Sequence, residues 1–156
     1  MKINNFMMRK LLIAFLFTVI SIGNANAQDK NTFWLGADIS GTTQLESNGE
    51  KLYNTKGEIK ENTALMKELG LNAVRLRVWV NPRGGWSGAE DVLEMAKRAK
   101  YYDMAVMIDF HYSDWWADPG KQHIPAAWQY MSYDEMKNAL AEHTVDVLSL
   151  LKKNGI

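Results

Sequence analysis

The chain has 156 residues, 47% of them hydrophobic, with 18 basic against 18 acidic side chains and no cysteine. Without cysteine there is no disulfide, no zinc–thiolate site and no thiol nucleophile. Without a basic excess, nucleic acid is a poor partner.

Residues 1–27 read as an export signal. Lys2, Arg9 and Lys10 precede an apolar run over 11–22, and Ala25-Asn26-Ala27 fits the small-x-small cleavage pattern. The run falls short of the roughly 20 apolar residues a bilayer span requires, so a cleaved signal is expected rather than an anchor. No cysteine follows it to carry a lipid. Removing the three basic residues of 1–27 leaves 15 basic against 18 acidic side chains in 28–156. The expectation is an exported protein, extracellular or periplasmic, with no membrane attachment after cleavage.

Strand and helix patterns then alternate. Residues 33–39 form a short apolar stretch closed by Ser40-Gly41, and 53–57 are turn-like. A helix is predicted over 58–69, with Ile59, Leu65, Met66 and Leu69 toward one face and Gly70 as its cap. Residues 72–80 give the clearest strand: Val74, Leu76, Val78 and Val80 alternate with Ala73, Arg75, Arg77 and Trp79. Asn81-Pro82 breaks it, and a Gly-rich loop spans 83–88. A second helix is predicted over 90–102, a third strand over 104–110 and a long aromatic, polar loop over 111–130. A third helix follows over 132–154, opened by a Ser132/Glu135 capping box and closed by Gly155.

Three strand–helix units in succession predict a parallel α/β sheet. The turn after the first strand is not the Gly-rich phosphate loop of a doubly wound sheet. At 30–50 residues per unit, eight units need roughly 300–350 residues, the scale of a (β/α)8 TIM barrel. The reading is therefore the first three βα units of such a barrel, with 28–156 its truncated N-terminal part. A fragment of this kind is expected to expose an unpaired strand edge.

The alternation also places charge. If Val74, Leu76 and Val78 pack against helices, Arg75 and Arg77 point to the barrel interior. Asp109 and His111 follow the same rule on the third strand, with Val106, Ile108 and Phe110 on the helix side. Inward arginines need carboxylates, and Asp38 and Asp109 are the candidates. These positions lie toward the C-terminal strand ends, where barrels build their sites. The loop Asp109-Phe-His-Tyr-Ser-Asp114-Trp-Trp116-Ala-Asp118-Pro-Gly-Lys-Gln122 combines carboxylates, imidazole, phenol, indoles and an ammonium. Indoles stack on the apolar face of a sugar ring, and Asp, His and Lys hydrogen-bond its hydroxyl rim. Of Trp115 and Trp116, one is expected to face ligand and the other to pack beneath the loop. Trp34 and Trp79 are expected to lie partly in the core. His111, Asp114 and Asp118 lack a recognised zinc spacing, so no metal is assigned. No G-x-S-x-G elbow supports a serine triad, and His143 reads as structural.

Four segments, Gly36-Ala-Asp-Ile-Ser40, Asn72-Ala-Val-Arg-Leu-Arg-Val-Trp-Val-Asn-Pro82, Ala96-Lys-Arg-Ala-Lys100 and the 109–122 loop, together resemble the arabinogalactan endo-β-1,4-galactanases, glycoside hydrolase family 53. The resemblance implies a (β/α)8 barrel and retaining endo-hydrolysis of β-1,4-galactan without a cofactor. It implies an acid/base Glu after strand four and a nucleophilic Glu after strand seven, both past Ile156, so no catalytic residue is assigned within this chain. Arg75 is similar to the arginine bordering the nucleophile, and His111 to the histidine near the cleaved sugar. Trp116 and Asp118 resemble substrate-loop residues, with Trp116 stacking a galactosyl ring. Asp109 and Asp114 complete the expected substrate-binding set. The rivals are a glycanase acting on mannan or cellulose and a non-catalytic glycan-binding protein.

Overall fold

The computed structural model describes residues 32–156. The export signal read over 1–27 lies outside the described residues. From Trp34 to Ile156 the chain forms one unit. Its elements run β1 (Gly36–Asp38), α1 (Thr42–Ser47), β2 (Leu52–Tyr53), β3 (Ile59–Lys60), α2 (Asn62–Glu68), β4 (Ala73–Val78), α3 (Ala89–Tyr101), β5 (Ala105–Phe110) and α4 (Tyr133–Lys153). Short 3-10 turns occupy Arg83–Gly85 and Ala126–Trp128.

The three longest-range strands pair in parallel in the order β1-β4-β5. Asp38 stands opposite Arg75, and Arg77 opposite Asp109. This register brings every charge singled out by strand alternation to one end of one face. The other face is the core. Val74, Leu76 and Val78 are at most 1% exposed and pack with Val92, Met95, Ala96 and Ala99 of α3 and with Val147 and Leu151 of α4. Val106, Ile108 and Phe110 pack against the same cluster, as the alternation on β5 predicts. Burying a Leu- or Val-sized side chain contributes about 1.5–3 kcal/mol, so this layer dominates what holds the sheet to its helices.

At the start of β1 the sheet is unusually tight. A β-carbon on Gly36 would lie 2.9 Å from the Ala73 carbonyl oxygen, so only glycine lets β1 approach β4 in this register.

The helix predicted from residue 58 starts later. Ile59–Lys60 is instead a strand, antiparallel to Leu52–Tyr53. Asn54 makes the difference: its Oδ1 accepts the backbone N–H groups of Lys56 and Glu58, both at 3.0 Å, and Gly57 turns at φ +77°. That local network holds Glu58 in a hairpin. α2 then opens at Asn62, where the Glu61 carboxylate accepts Ala64 N–H at 2.9 Å. Helix α1 was not expected; its six residues carry no apolar repeat. β4 ends at Val78, two residues before the predicted end, because Trp79 N–H bonds Ser87 O at 2.8 Å and Val80 N–H bonds Ser113 O at 2.9 Å. Both backbones leave the sheet to fasten loops. The expected capping box of α4 is present, with Ser132 and Glu135 each bonding the other's backbone.

Candidate active site

A polar trio, Arg75 on β4 with Asp109 and His111 at the end of β5, meets on one face of the sheet. Asp109 Oδ2 accepts from Arg75 Nη2 and lies 2.9 Å from His111 Nε2. Asp38 Oδ2 lies 3.5 Å from Arg75 Nη1, while its Oδ1 accepts Ser40 N–H at 3.0 Å and Ser40 Oγ–H at 2.5 Å. Arg75 therefore spans two carboxylates from its two neighbouring strands. Its side chain is 45% exposed, and ion pairs that open to solvent contribute only about 0–1 kcal/mol. Asp109 and His111 are more enclosed, at 21% and 23% side-chain exposure. His111 Nδ1 is a buried atom without a hydrogen-bond partner.

The tryptophans gather around Arg77, the next inward residue of β4. Trp79 is 3% exposed and stacks on Trp115, with ring centres 5.5 Å apart; Trp116 meets it edge-on at 5.7 Å. The expected division between one exposed and one packed indole is not what the structure has: Trp115 and Trp116 are 55% and 53% exposed, and each rests against Trp79. Trp79 fills the space beneath the loop by itself, so both neighbours ride on it. Trp34 is also mostly outside the core, at 48% exposed. Arg77 is buried, with its guanidinium carbon 4.2 Å from the Trp79 ring centre and 3.8 Å from that of Trp116. Burial pushes the Arg77 pKa below its ordinary value, opposed by the charges of Asp38 and Asp109.

The remaining loop residues divide by task. Asp114 Oδ1 accepts Asn81 N–H at 2.9 Å and its Oδ2 accepts Ala126 N–H at 2.8 Å. It thus ties the loop after β4 to the far end of its own loop. Asp118 turns the chain, with Oδ1 accepting Gly120 N–H at 2.8 Å and its backbone bridged to Lys121. Asp118 and His111 both line a cavity of about 510 Å³ that runs along Tyr112, Gln122, His123 and Trp128. His111 is the hinge of the arrangement: it lines this cavity and contacts Asp109. Trp128 and Tyr112 did not stand out in the sequence. Trp128 is 6% exposed and packs with Tyr112, Phe110 and His143 into an aromatic floor. Burial lowers the His143 pKa, partly offset by Asp146, as suits a structural imidazole in that floor.

The model of glycosyl hydrolase family 53 matches residues 34–156. The chain belongs to that family. Among family 53 relatives it is 39% identical over 132 residues to a Bacillus subtilis protein named endo-beta-1,4-galactanase, covering 80% of this chain and 31% of that one. It is 37% identical over 152 residues to an arabinogalactan endo-beta-1,4-galactanase of Cellvibrio japonicus, covering 96% and 40% respectively. The chain thus spans only a third to two fifths of the length of these relatives. Its fold superposes on a fungal β-1,4-galactanase structure with TM-score 0.74 and 38% identity, covering 79% of this chain and 37% of that one. The catalytic domain of the Ignisphaera aggregans family 53 protein gives TM-score 0.73 and 36% identity, over 79% and 36%. The parallel strands β1, β4 and β5 with their helices are accordingly βα units of a (β/α)8 barrel, the class predicted from the repeat.

Proposed function

We propose that the protein containing this chain is an exported endo-β-1,4-galactanase that cleaves galactan or arabinogalactan within the chain and retains anomeric configuration. The observation that carries the reading is the Arg75–Asp109–His111 trio, together with the exposed Trp115 and Trp116 on the loop after β5. Support for the substrate comes from the names of the family 53 relatives. A retaining mechanism needs two carboxyl groups about 5–5.5 Å apart, one as nucleophile and one as acid/base. In this reading both are glutamates contributed from beyond Ile156. Arg75 borders the nucleophile, and its positive charge keeps that carboxylate ionised. Asp109 fixes the direction of Arg75 and His111 and closes the polar floor of the site. His111, on the wall of the cavity, holds sugar hydroxyls or the nucleophile in place. Trp116 stacks a galactosyl ring and Asp118 bonds a hydroxyl rim, while Asp114 holds their loop in shape. No cofactor is needed for this chemistry.

Assay of the complete protein on galactan, mannan and cellulose tests the reading. Cleavage of galactan with β-configured first product is the expected result. Cleavage of mannan or cellulose alone overturns the substrate, and binding of galactan without cleavage makes the protein a glycan-binding module. Purified residues 28–156 should release no sugar. N-terminal sequencing of the secreted protein should begin at Gln28; a start at Met1 in a cell-retained product overturns export.

A further inference from the structure

Arg77 is the charge that neither the trio nor the proposed reaction uses. It is 5% exposed, makes no ion pair among the described residues, and its Nε has no hydrogen-bond partner. An apolar side chain would fill the same space at lower electrostatic cost. What arginine adds is a flat cation that adheres to indole faces in a fixed geometry. The guanidinium is itself fastened to the strand-end framework. Nη2 donates to Ser87 Oγ at 3.3 Å, the Arg77 backbone N–H donates to Ser40 Oγ at 2.7 Å, and Ser87 Oγ–H donates to Ser40 O at 3.3 Å. Ser40 and Ser87 are buried, and Ser87 holds a left-handed backbone at φ +58°. The loops that follow β1, β4 and β5 therefore meet at this one residue, the first at its backbone and the other two at its guanidinium.

We propose that Arg77 is a positioning residue for sugar binding: anchored on Ser40 and Ser87, it grips one face of Trp116 and so presents the other face as a flat platform for a pyranose ring. The proposal rests on the galactanase reading given above. It makes Trp116 a prearranged surface rather than a mobile indole, which lowers the ordering cost of binding. Trp79 supplies the second wall of the grip, and Trp115, stacked on Trp79, extends the same aromatic surface.

The test is steady-state hydrolysis of β-1,4-galacto-oligosaccharides by the complete protein, with kcat and KM resolved separately. Arg77→Lys keeps the charge and loses the flat face. It should raise KM about fivefold to tenfold with kcat within about twofold, between the exposed and the desolvated scale of a cation–π contact. Trp116→Ala should raise KM at least as much, and the double variant should be no worse than Trp116→Ala alone, because Arg77 acts through that ring. Ser87→Ala, which leaves the cation in place but loosens it, should raise KM about threefold in the wild-type background and not at all in Trp116→Ala. This second series decides the matter if Arg77→Lys does not fold. An unchanged KM, a fall confined to kcat, or effects that multiply with Trp116→Ala would overturn the proposal. A wild-type protein that leaves galactan intact overturns the galactanase reading first; an active wild type with an unaffected KM in the variants overturns only the role of Arg77.

Discussion

The two faces of β4 contrast in what holds them. On one, Val74, Leu76 and Val78 are shut away from water against α3 and α4. On the other, Arg75 is half exposed between two carboxylates and Arg77 is wedged between indoles. The first face is apolar volume, and its contribution scales with area. The second is a set of directed contacts, each worth little to folding and each fixed in geometry. One six-residue strand thus separates apolar packing from directed polar contacts by side-chain parity alone.

The contrast is sharpest at Leu76, 1% exposed. Leu76→Ala should lower unfolding free energy by about 2–5 kcal/mol in urea denaturation; a loss below about 1 kcal/mol would mean the helix layer is not the main support. Asp109→Asn addresses the opposite face. It removes the charge shared by Arg75 and His111 and should cut kcat/KM of the complete protein roughly a hundredfold through lost orientation, while stability moves by less than about 1 kcal/mol. If the two effects were exchanged, with stability lost and catalysis intact, the division between faces would fail.

Smaller effects belong to the helical layer. Ser132→Ala removes the α4 cap and should cost about 1 kcal/mol by thermal or urea unfolding, with no change in KM. Glu61 gives a pH signature. Burial raises its pKa, but hydrogen bonds from Thr63 and Ala64 and the charge of Arg98 outweigh that, and the net shift is downward. A carboxylate lowered in the folded state stabilises above its ordinary range and loses that contribution as pH falls through the folded value. Glu61→Gln should therefore flatten part of the acid-side decline in the urea midpoint. An unaltered decline would remove Glu61 from the account.

What the sequence disclosed and what it hid follow the range of the forces involved. Alternation on β4 and β5 is a nearest-neighbour property of extended chain, so the inward direction of Arg75, Asp109 and His111 was legible, as was the α/β repeat. The Ser132–Glu135 cap and the glycines at 70 and 155, both at positive φ, were legible because each is local. The hairpin at Asn54 was hidden, since Ile59 and Met66 satisfy a helical spacing and only the Asn54 side chain decides against it. The packing of Trp79 with Trp115 and Trp116 was hidden for a different reason: it joins residues more than thirty positions apart through loops without periodicity. The double grip of Asp114 on Asn81 and Ala126 is of the same kind.

The absent side chain at Gly36 reaches further than its position implies. β1 carries Asp38 two residues downstream, in register with Arg75. Any methyl group at Gly36 collides with the Ala73 carbonyl and levers the whole strand outward. The first casualty would be the spacing of Asp38 from the guanidinium, at the opposite end of the strand from the collision. A hydrogen atom at the floor of the sheet thereby calibrates the electrostatics at its rim, and substitutions there should register as altered reactivity before they register as unfolding.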